Sequence, residues 1–279
     1  MWLLRFLPRS YLSHLFGKAA YLRLPAFLQL RVLHAFARAF RVNLSESEKP
    51  LEEYPSLGDF FVRNLKPGLR TIGEGIVSPV DGELSEFGPI SGSTLLQAKG
   101  KTYTIEELLR NSEAARAFDD GYFVTLYLAP GDYHHIHSPA DGAITEAFLI
   151  EGTLWPVNAW SLQRIDRLFC VNERIVSLIQ TVTGKIAVVK VGATNVGSVI
   201  TTYSSAQDEP LVGNMVATLW RRRTGIVHRR YSAGIPVKKG ARIGTFRLGS
   251  TVILLFQKDC FKPGSLCVRG PIRLGTILD

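Results

Sequence analysis

Two stretches of this chain hold residue types and spacings that could do chemistry. The first is Asp132-Tyr133-His134-His135-Ile136-His137, which contains three of the six histidines. On a strand, His135 and His137 would share one face and His134 the other, whereas a turn could bring all three together. A His-x-His pair can bind zinc, or one imidazole can serve as the base for a hydroxyl nucleophile. Zinc needs further ligands, and His14, His34 and His228 lie in poor contexts for that role. The nucleophile reading needs a hydroxyl and an orienting acid. The second stretch, Phe246-Arg247-Leu248-Gly249-Ser250-Thr251-Val252-Ile253-Leu254-Leu255-Phe256, reads as a strand on each side of a Gly-Ser-Thr insertion. Glycine inside a strand marks a bulge or a close approach. A bulge with Ser250 and Thr251 in solvent is the plain reading, and Ser250 as the missing hydroxyl is the chemical one. Asp81 and Asp141 are the candidate acids, and the residues alone leave the choice between them open.

The elements that must carry these groups are mostly strands. Runs rich in apolar and β-branched residues predict strands over 121–129, 143–150, 175–180, 186–191 and 198–203, and on both sides of Gly249. Thr104 and Glu107 have the spacing of a capping box and predict a helix start at Ile105. Ser78-Pro79-Val80-Asp81-Gly82 echoes Ser138-Pro139-Ala140-Asp141-Gly142, a weak sign of a duplicated β unit. Asp-Gly pairs usually make hairpin turns.

The chain has 279 residues and a formal net charge of +9. Seven of its 33 basic residues precede Asn43, and no acid does, so the excess charge belongs to the first segment. No recognised nucleic-acid motif accompanies the charge, and no nucleic-acid partner is expected. The three cysteines form no C-x-x-C pair, which suits a reducing compartment. The first segment is also strongly apolar, yet basic residues interrupt every run too early for a spanning helix or a secretory signal. From Ala26 onward the period is helical. Arg31, His34, Arg38 and Arg41 share a stripe, opposite Leu28, Val32, Leu33, Phe36, Ala39 and Phe40. Such a helix can lie in a membrane interface, or pack on its own domain with arginines in water. The expected organisation is a helical membrane-associating segment, residues 1–45, ahead of a β-rich catalytic domain, residues 46–279, of α+β class.

The sequence resembles the phosphatidylserine decarboxylases, a self-cleaving, pyruvoyl-dependent family. The resemblance is carried by Phe60-Phe61-Val62-Arg63, Ser78-Pro79-Val80-Asp81-Gly82, Ala98-Lys99-Gly100, the histidine motif, Asn172-Glu173-Arg174, residues 191–198 (VGATNVGS) and Leu248-Gly249-Ser250-Thr251, in that order from residue 60 to 251. The histidine and Leu-Gly-Ser-Thr motifs are specific together and weak singly.

What the resemblance implies is concrete. Ser250 attacks the carbonyl of Gly249, the chain divides into 1–249 and 250–279, and Ser250 becomes a pyruvoyl group. His137 is the base for Ser250 and Asp81 orients it. The pyruvoyl ketone forms a Schiff base with the amine of phosphatidylserine, carbon dioxide leaves, and His134 returns a proton to give phosphatidylethanolamine. His135 has no assigned role and is expected to be structural or exposed. No metal is implied. The implied partners are a phospholipid, the membrane surface, the two chains of one precursor, and a second copy in a homodimer. The implied location is peripheral, on the cytoplasmic face of the cell membrane. A zinc hydrolase and a lipid-binding module with an intact chain are the rival readings.

Overall fold

The structure, a computed structural model, describes residues 19–98, 101–193, 199–203, 211, 225–247 and 251–279. Gly249 and Ser250, the first 18 residues and residues 194–198 lie outside them. The strands are β1 (Gly82–Pro89), β2 (Thr94–Ala98), β3 (Lys101–Thr104), β4 (Tyr122–Tyr127), β5 (His135–His137), β6 (Gly142–Ile150) and β7 (Arg174–Gln180). They continue with β8 (Lys185–Val191), β9 (Val199–Thr201), β10 (Ile226–Val237), β11 (Arg242–Phe246), β12 (Thr251–Phe256) and β13 (Gly270–Ile272). One sheet runs β10-β6-β7-β8-β12-β4-β1-β13, a second β5-β11-β9, and a third β2-β3. The chain is thus β-rich α+β.

The large sheet is covered on both faces, which is why its central strands are apolar along most of their length, with Ser177 and Lys190 as buried exceptions. Along β12, Val252, Leu254 and Phe256 enter one core while Ile253 and Leu255 enter the other. The second sheet closes the first core with Ile136, Val199, Ile243 and Phe246. Helix α3 (Ile105–Leu109), third in the chain after α1 (Ala26–Ala39) and α2 (Leu57–Phe61), closes the other with Leu108 and Leu109. It starts at the capping box, with both reciprocal bonds present. Its C-terminal carbonyls, which have no partner inside a helix, are met by the buried Arg174. Nε of Arg174 donates to Leu108 O (2.6 Å) and Nη2 to Glu107 O (2.9 Å).

Helix α1 (Ala26–Ala39) docks through Leu33 and Ala37 on Leu51, Tyr54 and Phe60, the last in helix α2 (Leu57–Phe61). Arg31, His34 and Arg38 face outward. The docking line runs through residues 29, 33 and 37, to one side of the expected apolar stripe. Leu28, Ala39 and Phe40 therefore stay exposed, and Val32 and Phe36 are half-buried. Among the described residues no helix is long and apolar enough to cross a membrane.

Two expectations need correction. The strands flanking Gly249-Ser250-Thr251 are not halves of one strand: β11 belongs to the small sheet and β12 to the large one. β11 ends at Phe246 in one sheet and β12 begins at Thr251 in the other, which alternation alone cannot show. Neither Asp-Gly pair turns a hairpin; each opens a strand, β1 or β6. The echo itself is structural. Val77 N–H donates to Pro139 O (3.0 Å) and His137 N–H to Pro79 O (2.9 Å), so the two copies bond reciprocally. In both, the serine hydroxyl closes on the carbonyl two residues on, Val80 at 2.8 Å and Ala140 at 2.7 Å. In both, the aspartate accepts a backbone N–H, from Leu274 (2.8 Å) or Lys239 (3.1 Å).

Candidate active site

The chain leaves β4 and turns at residues 129–132, where Asp132 accepts from Ala129 N–H (2.7 Å). Gly131 lies so close to the carbonyl of Phe40 that a β-carbon there would collide, so the end of α1 rests on this turn. Arg63 holds the other side, its Nη2 donating to Gly131 O (2.6 Å) and Asp132 O (3.2 Å).

His134 follows and is fully buried. Its Nδ1 is 2.8 Å from Asp132 O. A carbonyl only accepts, so Nδ1 carries the hydrogen and Nε2 is bare. That Nε2 is buried and has no hydrogen-bond partner. The ring packs on Phe61 with centroids 4.0 Å apart. Burial drives its pKa down to about 3; the Asp132 carbonyl opposes this, and the charge of Arg63 adds to it. The resting imidazole is neutral, unlike the near-neutral acid its residue type suggests.

His135 is a structural bridge. Its Nε2 reaches Val62 O (2.9 Å) and its Nδ1 Thr245 Oγ1 (2.8 Å). His137 has Nδ1 at 2.7 Å from Gly240 O and Nε2 at 3.2 Å from the hydroxyl of Tyr133. Burial lowers its pKa, the Gly240 carbonyl opposes that, Arg242 lowers it further, and the charge of Asp81 raises it.

Asp81 is buried, and its carboxylate is held by Arg70. Nε of Arg70 lies 2.9 and 3.1 Å from its two oxygens, and Nη2 lies 2.5 Å from Oδ2 and 2.5 Å from Glu46 Oε2. Asp81 thus acts on His137 through its charge, with its hydrogen bonds going to Arg70 and Leu274. Asp141, the other candidate, is exposed on the far copy of the repeat, beside Lys238 (3.8 Å).

Gly249 and Ser250 fall outside the described residues, but the chain on both sides is pinned. Phe246 N–H donates to His134 O (2.9 Å). Thr251, bonded to Ser250, pairs with Tyr127 and Val191. The pairing of β5 with β11 sets His134 beside Phe246, four residues before Ser250, and His137 opposite Arg242, eight residues before it. Among the described residues, His134 Nε2, Thr251 Oγ1 and, opposite Ile253, Thr125 Oγ1 are buried polar atoms with no hydrogen-bond partner. Such atoms are rare and call for a reason; a polar group derived from Ser250 would supply one. Among the described residues no three His, Cys, Asp or Glu side chains are grouped to hold a metal ion.

Sequence reasoning missed Arg70, Gly240 and Arg242, and quoted Arg63 within a motif without giving it a role. Tyr133 sat inside the quoted motif, but no local signal links Gly240 or Arg242 to His137.

The family model described as phosphatidylserine decarboxylase matches residues 57–276, which covers Asp81, the three histidines, Ser250 and the groups bonded to them. The chain belongs to the phosphatidylserine decarboxylase family. It is 45% identical over 279 residues to a phosphatidylserine decarboxylase proenzyme of Myxococcus xanthus, covering 99% of this chain and 95% of that protein. It is 42% identical to a proenzyme of the same name from Anaeromyxobacter sp. over 91% of this chain and 88% of that one. For the Brevibacillus brevis proenzyme the identity is 40%, over 91% and 87%. The chain is therefore an enzyme of a decarboxylase family whose members are named as precursors. Its site residues lie in the part shared with those phosphatidylserine decarboxylases.

Proposed function

We propose that this enzyme converts phosphatidylserine to phosphatidylethanolamine, using a pyruvoyl group that it makes from Ser250. The observation that carries the reading is the bracketing of Gly249-Ser250 between Phe246, bonded to His134, and Thr251, paired with Tyr127 and Val191.

In maturation, His137 takes the proton of the Ser250 hydroxyl, which attacks the Gly249 carbonyl. The peptide C–N bond breaks as the ester C–O bond forms. Loss of the Ser250 α-hydrogen and of the ester oxygen leaves a dehydroalanine and a free carboxylate on Gly249. Water then replaces the nitrogen, ammonia departs, and a ketone caps the chain that begins at 250. Asp81, fixed by Arg70, stabilises the imidazolium of His137 by its charge.

A pyruvoyl group supplies a ketone that binds the substrate amine and withdraws the electrons left when carbon dioxide departs. His134 then handles the proton. Its bare Nε2 faces no competing donor, and its neutral resting state means that the proton it delivers to the α-carbon is taken up only once substrate is bound. The packing of Phe61 against it keeps bulk water away.

The enzyme meets its lipid at the membrane surface. Leu22 (59% exposed) and Phe27 (68% exposed) stand out beside Arg31 and Arg38. An apolar face next to cations suits an anionic leaflet, where each cation adds about 1 kcal/mol. These features support a peripheral location, and the cytoplasmic face of the cell membrane is the one proposed.

The test is to incubate the purified protein with phosphatidylserine vesicles and measure phosphatidylethanolamine and carbon dioxide. Equal molar release of both, blocked by prior treatment with a ketone reagent, is expected. Absence of product from fully cleaved protein would overturn the reading.

A further inference from the structure

The hydrogen bonds around His137 run in one direction. Gly240 O can only accept, so Nδ1 of His137 carries a hydrogen and, in the neutral ring, Nε2 carries none. Nε2 must then accept from the Tyr133 hydroxyl, 3.2 Å away. The oxygen of Tyr133 is left to accept, and Nη2 of Arg242 donates to it at 3.3 Å. Nη2 of Arg242 is also 2.8 Å from Oδ1 of Asn64, which steadies it. The result is a single chain of donors from Arg242 through Tyr133 and His137 to Gly240. Tyr133 is buried, with its ring centroid 5.7 Å from that of His137. The carboxylate expected to orient His137 is already bonded to Arg70 and Leu274.

We infer that Tyr133 is a positioning residue for self-cleavage: its hydroxyl, supported by Arg242, holds His137 in the neutral tautomer whose Nε2 is ready to take a proton. The inference rests on the reading of His137 as the base for Ser250. An imidazolium cannot accept from Tyr133, so this bond favours the neutral ring and lowers the pKa of His137. The other charged and titratable groups facing His137 are Arg242 on β11, Asp81 with Arg70 behind it, and His135 on the same strand. Arg242 acts in the same sense as Tyr133 and Asp81 in the opposite one. A distance of 3.2 Å is long for a hydroxyl donor, so Tyr133 gives way readily when the serine hydroxyl reaches Nε2.

The experiment follows cleavage of full-length precursor made by cell-free translation, across pH 5–9, for wild type, Tyr133→Phe and Arg242→Gln. Tyr133→Phe should move the acid limb of the rate profile up by about half to one pH unit, the worth of one hydrogen bond, and slow cleavage most at low pH. Arg242→Gln should move it the same way. A Tyr133→Phe profile that overlays wild type would overturn the inference while leaving the decarboxylase reading intact. Should wild type itself remain uncut, the reading of Ser250 fails and the role in self-cleavage falls with it, while nitrogen-15 spectra of His137 in the Ser250→Ala precursor still decide whether Tyr133 sets the tautomer. A hydrogen on Nδ1, with a His137 pKa that rises on adding Tyr133→Phe, supports it; a hydrogen on Nε2, or an unmoved pKa, overturns it. The same spectra serve if Tyr133→Phe folds too poorly to cleave, with Arg242→Gln as the perturbing change.

Discussion

Arg70 grips both carboxylate oxygens of Asp81 and, with the same Nη2, Glu46. Asp81 is thereby fixed as a buried anion near His137 without bonding to it. Arg70→Met should leave that anion unpaired, which is strongly unfavourable in a buried site. The Ser250→Ala precursor carrying Arg70→Met should lose about 2 kcal/mol in urea unfolding, and Arg70→Met alone should cleave slowly. Unchanged stability would mean that water or another cation compensates for Arg70.

His134 and His137 should be separable. His134→Asn removes the bare Nε2 but not the base for Ser250. The variant should still divide at Gly249-Ser250 and should turn over phosphatidylserine about a hundredfold more slowly or worse. Intact mass and product formation on one sample check both halves. A variant that neither cuts nor turns over would merge the two roles.

Lys190 stands in the core with Nζ 2.5 Å from Ser177 Oγ, which lies 2.5 Å from the Tyr203 hydroxyl. Burial pushes its pKa down to about 7 from the usual 10.5. Between those values the unfolded chain binds a proton that the folded chain does not, so stability rises with pH through this window. Lys190→Met should stabilise the Ser250→Ala precursor at pH 7 by about 1–3 kcal/mol and flatten that rise. Denaturant melts at pH 7 and pH 10 measure both effects. A steeper pH dependence in the variant would contradict the assignment.

Much of this was legible in sequence, for identifiable reasons. The runs that became β7, β8 and β12 are buried on both faces and are therefore apolar at most positions, which marks them as strands without alternation. Strand β10 is an edge with His228, Arg229 and Arg230 on it, and it reads as loop. β1 is mostly half-buried and polar because β13 covers only Gly82 to Leu84 of its outer side. The family motifs located His134, His137 and Asp81, while their protonation and partners come from burial and from residues distant in sequence. Gly240 reaches His137 across 103 positions, and Arg242 reaches Tyr133 across 109. The choice between Asp81 and Asp141 likewise turns on exposure, since their local sequences are near copies.

Membrane contact should depend on the outward face of α1. Phe27→Ser with Arg31→Glu should weaken binding to vesicles containing anionic lipid by about tenfold or more, with the fold and the self-cleavage unchanged. Co-sedimentation measures it, and undiminished binding would place the contact elsewhere.

The central claim is most directly tested by the intact mass of purified wild-type protein beside Ser250→Ala. Two chains dividing between Gly249 and Ser250, the shorter one with a ketone-reactive N-terminus, together with a single uncut chain in the variant, are the predicted result. One uncut chain in both would contradict the account and return Ser250 to the plain bulge reading.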